Sequence, residues 1–458
     1  MADSVAQILD ALALDDSALY DPEGRLAAAD ALRIETDTRR LAPNDLFVAL
    51  RGERFDGHDY LQTAAERGAA GALVERRVAS SLAQIVVADT RLALGLLARA
   101  HRLHWGGRLA AITGNSGKTT VRALCQSILS RHAPTLATRG NLNNDIGVPL
   151  TLLQLGDEHQ LAVVELGANH SGEIAWTSAL ARPDVALINN VTDAHVGEFG
   201  GSAMIARAKA EILTGLAPDG VAVLNRHDRF YPDWCALARP HEVIDFALEA
   251  PARVQALDLH LSEGRYAFRL VLEGRDAGPI TLPLLGRHNV LNALAAAGVA
   301  HALGCDSATI RSGLEQVTAV ARRMLPLAGL RGSLLIDDSY NANPGAMRAA
   351  LESLAEHRAP RWCLLGAMGE LGDYAEAAHR EVGEYAAALD IDAVVSVGNG
   401  AAALSYAAGE RGHHFDDRDA ALDFVRARLP AGATVLIKGS LSAGMDRLVE
   451  ALRADTIG

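Results

Sequence analysis

Lysine is the scarcest charged residue in this chain: of 43 basic side chains, all but Lys118, Lys209 and Lys438 are arginine. A sequence that writes ordinary surface cations as arginine keeps lysine where a compact ammonium does something a guanidinium cannot. It can sit beside phosphates as a point charge, or serve as an amine open to covalent modification. Cysteine is also sparse. Cys125, Cys235, Cys305 and Cys363 are scattered without a CxxC pair, which excludes a zinc ribbon, argues against a disulfide framework and leaves small buried hydrophobes as the plain reading. Long apolar runs are missing too. The Ala-rich stretch 293–303 is broken by His301 and falls short of the roughly 18 residues a membrane span needs. The first fourteen residues carry Asp3 and Asp10 and no basic segment. They read as a short amphipathic helix rather than a secretion signal, so a cytoplasmic location is expected. Positive charge is not in surplus: the formal net charge is −13. That argues against a generic nucleic-acid or anionic-membrane surface, and any phosphate must be gripped locally.

What is there is an α/β pattern. A length of 458 residues suggests about three domains. Residues 1–88 mix short apolar runs (46–50, 70–74) with a helical stretch (60–67) and read as a small α/β domain. Residues 89–321 open with a helical run (90–104). Strand-like segments follow at 109–113, 161–166, 185–189 and 221–225, separated by helix-period stretches, which predicts a mostly parallel sheet covered by helices. An alternating patch at 256–283 suggests antiparallel strands, and 288–303 is an Ala-rich helix. Residues 322–458 repeat strand-then-helix units, with strands expected at 333–337, 362–365, 393–397 and 434–437. They predict a small doubly wound, Rossmann-like domain with its functional edge at the strand C-termini.

The strongest local signal is a buried strand running into Gly114-Asn115-Ser116-Gly117-Lys118-Thr119-Thr120 and then a helix. Such a turn aims backbone N–H groups and a helix N-terminus at phosphates, with Lys118 reaching the β/γ-phosphates of ATP and the Thr119 hydroxyl available to Mg²⁺. Ile112 stands where the longer G-x-x-x-x-G-K-[ST] form has its first glycine. This compact version points away from common GTPases and transport ATPases. Downstream, Glu165 and His195 fall at or just past predicted strand ends, which in an open α/β sheet converge on one crevice. Hard Mg²⁺ prefers oxygens, so Thr119 and Glu165 are natural ligands. His195 is either a ligand or a hydrogen-bonding residue. Lys209, on the helical stretch after it, is either a surface salt-bridging lysine or a lysine carbamylated by CO₂, whose anionic oxygens would join the metal ligands.

These stretches are ordered as in a known family. The runs 36–39 and 46–58, the phosphate loop, 140–149, 165–170, 286–289, 337–344 and 438–440 together resemble the Mur ligases over nearly the whole chain. The Asn-Leu-Asn-Asn (141–144) and Ser-Tyr-Asn-Ala-Asn-Pro (339–344) runs favour the member that adds D-alanyl-D-alanine. The resemblance implies an N-terminal UDP-binding domain with Thr38 and Arg39 as contacts, a central ATP-binding domain, and a C-terminal domain closing over both. It implies nucleotide contacts at Asn289 (adenine), Arg323 and Asp338, substrate contacts at Asn141, Asn144, Asn341 and Lys438, and metal or carbamate roles for Glu165, His195 and Lys209. It further implies catalytic parts for Lys118, Lys209 and His195. The implied reaction is amide ligation of D-alanyl-D-alanine to UDP-N-acetylmuramoyl-tripeptide through an acyl phosphate, by a monomer. The alternatives are another amino-acid-adding member or a scaffold of the same fold with impaired catalysis. Four positions depart from the family pattern: Ala367 replaces an acid before Met368, Leu441 and Gly444 interrupt a run that usually carries an arginine, and Arg322 replaces a glycine before Arg323.

Overall fold

The computed structural model describes residues 4–26, 29, 32–192, 201–262 and 264–454. Three sheets succeed one another along the chain. The first has five strands in the order Leu19–Tyr20, Ala83–Val86, Gly71–Val74, Leu46–Val48, Ile34–Glu35, parallel except for the first pair. The helix Thr90–Trp105 follows. The Asp89 carboxylate caps it by accepting from the N–H groups of Arg91 and Leu92, and Gly106 ends it at φ +73°. A left-handed residue just past a helix favours glycine, which has no Cβ to clash. This helix joins two cores. Ala93, Leu94 and Leu97 pack with the first sheet, while Ala98 packs with the second.

The second sheet has nine strands. Its parallel part places Arg108–Thr113 between Leu161–Glu165 and Val185–Ile188. The apolar run at 109–112 is continuous rather than alternating because helices cover both faces of a parallel sheet. From Arg108–Thr113 the chain runs out to Thr135–Ala137 at the edge, returns through Leu161–Glu165, then crosses to the other side at Val185–Ile188. A reversal of this kind opens a crevice at the strand C-termini. Val254–Ser262, Arg265–Leu272 and Arg275–Thr281 form the antiparallel extension. The Ala-rich helix Arg287–Ala302 is buried nearly all round, in one core with the helix Lys118–His132. Small side chains permit that closeness: a Cβ on Gly298 would already lie 3.0 Å from Val223 Cγ1.

The third sheet runs Leu325–Ala328, Leu334–Asp338, Thr434–Lys438, Arg361–Gly366, Ala393–Val397, Gly412–Phe415, parallel except for its first pair. Seven strands escaped the sequence reading, among them Thr135–Ala137, Glu242–Ala247 and Gly412–Phe415. Short segments such as 135–137 and 412–415 are too brief or too polar to show a period. Among the described residues no helix is long and apolar enough to cross a membrane, and all four cysteines are free thiols.

Candidate active site

The strand Arg108–Thr113 ends in the loop 114–117, from which the helix Lys118–His132 departs with Gly117 at φ +81°. The loop is held from behind by consecutive asparagines that follow Val185–Ile188. The Asn115 N–H donates to the Asn190 carbonyl at 3.0 Å, and the Ser116 N–H to Asn190 Oδ1 at 2.9 Å. Asn190 Nδ2 and Asn189 Nδ2 both donate to the Ser116 carbonyl, at 3.1 and 2.9 Å. The N–H groups left for a phosphate are therefore those of residues 117–120, and the first turn of a helix has no intrahelical partners for its donors. All four residues line a cavity of about 580 Å³.

That cavity lies between the second and third sheets. Its central-sheet wall carries the phosphate loop, Asn141, Asn144, Glu165, Lys209 and Asn289, and its C-terminal wall carries Arg323, Asp338, Asn341 and Lys438. The side chains singled out from the sequence thus meet in one place, with three exceptions. Thr38 and Arg39 are on a short turn beside the first sheet, where Arg39 is 84 % exposed and paired with Asp37 at 2.7 Å. His195 lies outside the described residues.

All three lysines line the cavity. Lys118 folds back so that Nζ donates to the Gly114 carbonyl at 2.8 Å. Burial pulls its amine below the ordinary lysine value, opposed by the charge of Glu165. Lys209, on the helix Ser202–Ala210, is 3 % exposed, which rules out the surface salt-bridging alternative. Burial, reinforced by the charge of Lys118, lowers its amine to about 7. Lys438 Nζ bonds Asp338 Oδ2 at 2.5 Å and the Asn341 carbonyl at 2.9 Å. Burial also holds the cavity-lining His288 imidazole below its ordinary value.

Thr119 and Glu165 approach across the cavity floor, with Oγ1 donating to Oε2 at 3.2 Å. Glu165 is buried, accepts from Asn143 Nδ2 at 2.9 Å, and has Arg122 Nε at 3.7 Å. Among the described residues there is no cluster of three or more His, Cys, Asp or Glu suited to a metal. A hydroxyl beside one carboxylate does fit Mg²⁺, which keeps most of its waters and completes its shell with nucleotide phosphates.

The C-terminal domain also touches the loop directly. Asn343 caps the helix Pro344–Ala355 through its oxygen, while its Nδ2 donates to Ser116 Oγ at 3.3 Å. A Cβ on Gly345 would come within 2.9 Å of Thr192 Cβ. On the C-terminal wall the Arg323 guanidinium stacks 4.2 Å from the centre of the Tyr340 ring. Asn143, Asn189, Asn190, Asn292 and Asn343 were not singled out from the sequence as site residues. The doubled Asn at 189–190, just past a strand end, was the available signal.

Comparison with known proteins follows the same lines. Residues 33–102 match the description "Mur ligase family, catalytic domain", 112–300 "Mur ligase middle domain" and 322–441 "Mur ligase, glutamate ligase domain". The chain belongs to the Mur ligase family. The UDP-N-acetylmuramoyl-tripeptide–D-alanyl-D-alanine ligase of Escherichia coli K12 is 44 % identical over 94 % of this chain and 96 % of its own. Among solved Mur ligases, MurF from Acinetobacter baumannii superposes with a TM-score of 0.91 at 38 % identity, covering 98 % of both chains. MurF ligase from Thermotoga maritima, solved in complex with ADP, gives 0.83 at 27 % identity over 92 % of this chain and 96 % of that one.

Proposed function

We infer that this chain is an ATP-dependent ligase that joins D-alanyl-D-alanine to UDP-N-acetylmuramoyl-tripeptide in peptidoglycan precursor synthesis. The observation that carries this reading is the meeting of a phosphate loop with Lys118, Lys209, Lys438 and Arg323 around one cavity. It is joined by identity across nearly the full chain to a ligase bearing that name.

Amide formation in water is uphill, so the acceptor carboxylate has to be activated. One of its oxygens attacks the γ-phosphorus of ATP, ADP leaves, and an acyl phosphate forms. The neutral amine of D-alanyl-D-alanine then attacks the acyl carbon, the tetrahedral intermediate collapses, inorganic phosphate departs and the amine loses a proton. Little covalent chemistry falls to the protein here. Its work is positioning and charge neutralisation. The N–H groups of residues 117–120 and the Lys118 ammonium take the phosphates, while Asn289, Arg323 and Asp338 take the rest of the nucleotide. Asn141, Asn144, Asn341 and Lys438 hold the acceptor and the acyl group. Thr38 and Arg39, away from the cavity, take the UDP end of a long substrate. Mg²⁺ held by Thr119 and Glu165 would neutralise the β- and γ-phosphate oxygens. His195 is kept as a further candidate for that cluster.

Lys209 is the residue we assign to a carbamate. Burial lowers this amine to about 7, which raises the share of its neutral form, and only the neutral amine reacts with CO₂. Its lone pair attacks the carbon, an N–C bond forms, one C=O pair moves to oxygen and the amine proton leaves. The product is an anion among cations, in a cavity that otherwise crowds Lys209 against Lys118. We place the protein in the cytoplasm, where ATP and UDP-linked precursors are found, and take it to act as a monomer.

Mass spectrometry of the product from ATP, D-alanyl-D-alanine and UDP-N-acetylmuramoyl-tripeptide tests the reading. The expected species is the UDP-linked pentapeptide, with one phosphate released per amide. Phosphate release driven instead by a single amino acid would assign the chain to a sibling activity, and ATP binding without release would make it a scaffold.

A further inference from the structure

A phosphate-binding loop works only if its peptide planes face the right way, and here one plane has a dedicated restraint. In a trans peptide the C=O of one residue and the N–H of the next point in opposite directions. The plane joining Ser116 to Gly117 therefore aims the Gly117 N–H into the cavity only while the Ser116 carbonyl points away from it. Glycine at 117 leaves that plane free to rotate, since it populates φ above and below zero with similar ease. A rotated plane would turn a carbonyl oxygen towards the phosphoryl group and withdraw a donor.

Two side chains oppose this rotation. Asn189 Nδ2 and Asn190 Nδ2 converge on the Ser116 carbonyl at 2.9 and 3.1 Å, occupying both of its acceptor positions. Asn190 Oδ1 also takes the Ser116 N–H, so one carboxamide grips both polar groups of a single residue. Asn189 is 1 % exposed, and its Nδ2 is steadied by Asn292 Oδ1 at 3.0 Å. Its own Oδ1 is buried with no hydrogen-bond partner among the described residues. An unsatisfied buried acceptor is unfavourable. The Asn189 carboxamide acts on the loop through its donor.

We propose that Asn189 and Asn190 are positioning residues for the ligation reaction, holding the Ser116–Gly117 peptide so that the Gly117 N–H is preset towards the transferred phosphoryl group. This rests on the phosphate-loop reading above. A preset donor matters most where charge builds in the transition state and least for the bound product nucleotide. The two asparagines then govern turnover more than ADP affinity.

The test compares Asn190→Asp, Asn190→Ala and Asn189→Asp with the unaltered full chain. Asn190→Asp keeps the shape and the acceptor for the Ser116 N–H but replaces the second donor by an oxygen. The expected result is a fall in kcat of about 10²-fold, the scale of one lost transition-state donor, with ADP affinity within about threefold and the melting temperature unchanged. The deficit of Asn190→Asp relative to the unaltered protein should narrow as pH falls towards 5, because a protonated carboxyl again donates to the Ser116 carbonyl. Asn190→Ala should show the same kcat loss without that narrowing. Unchanged kcat in Asn190→Asp and Asn190→Ala overturns the proposal, as does a loss shared equally by kcat and ADP affinity. Lys118→Ala separates the two readings. If it retains ligation, the phosphate-loop assignment fails; if it abolishes ligation while the asparagine variants stay active, this inference alone fails.

Discussion

Lys438 Nζ and Asp338 Oδ2 meet at 2.5 Å between adjacent parallel strands, with side chains only 3 % and 10 % exposed. Taking two charges out of water is costly, and such a pair seldom stabilises a fold more than well-packed apolar side chains would. Placed on a cavity wall beside Arg323 and facing the phosphate loop, it serves to hold an ammonium in a set position.

Breaking this pair on one side should expose its cost. Asp338→Asn or Lys438→Met is expected to destabilise the protein by roughly 3–5 kcal/mol, because one charge is left buried alone. The double variant Asp338→Asn/Lys438→Met should recover most of that stability without recovering ligation. Chemical denaturation read alongside a phosphate-release assay checks both halves. A double variant that ligates normally would remove the pair from the active site.

Lys118→Ala should lower kcat by two or more orders of magnitude and leave the melting temperature within a few degrees. The lost contacts are hydrogen bonds to the loop's own carbonyls, and no core packing goes with them. A large drop in melting temperature would mean that the amine holds the loop together rather than serving the phosphates.

For Lys209, alanine substitution should abolish most activity, and short carboxylates such as acetate should restore part of it by supplying the missing anion. Labelled bicarbonate should give a carbamate carbon signal in the unaltered protein and none in Lys209→Ala. Full activity after exhaustive removal of CO₂ would count against the modification.

Glu165→Gln keeps the shape of the side chain and its reach towards Asn143 but loses the anionic oxygen beside Thr119. The Mg²⁺ concentration for half-maximal ligation should rise at least tenfold, with ADP binding in the absence of metal unaffected. An unchanged Mg²⁺ response would place the metal elsewhere.

In the N-terminal domain, Asp56 accepts from the His58 N–H at 3.0 Å and from His58 Nδ1 at 2.6 Å, and Arg76 approaches it at 3.2 Å. The His58 backbone bond is the main cause that holds this carboxyl at about 2, below its ordinary 3.8. A folded value below the unfolded one stabilises the fold above pH 3.8, and that contribution fades as pH falls through about 2. Asp56→Asn should therefore cost about 1 kcal/mol at pH 7, a figure reduced for the partly solvated carboxylate, and little at pH 2. Urea denaturation of both proteins at the two pH values reports it. Equal losses at both pH values would reject the assignment.

Much of the site could be read from the chain because its signals are local. The loop 114–120 combines a strand, two glycines, a lysine and a helix start within a few residues, and each follows from short-range backbone geometry. The rarity of lysine marked Lys118, Lys209 and Lys438 before any contact was known, and all three line the cavity. The asparagine brace was not legible in this way. Asn190 acts on Ser116 from 74 positions away, and carboxamides on strand ends are common enough that neither residue stands out.

The strand–helix alternation of the central and C-terminal segments, the phosphate loop and the choice of lysine over arginine were determined by the sequence alone, since periodicity, glycine placement and side-chain chemistry are properties of short stretches. Tertiary structure decided which of these groups share a cavity and how polar they are there. It buried Lys209 against Lys118, paired Lys438 with an aspartate 100 positions earlier, and turned Asn189 and Asn190 onto one carbonyl. Those outcomes depend on sheet order and on the packing of one domain against another. Burial changes the charge state of an amine, and the sequence does not state burial.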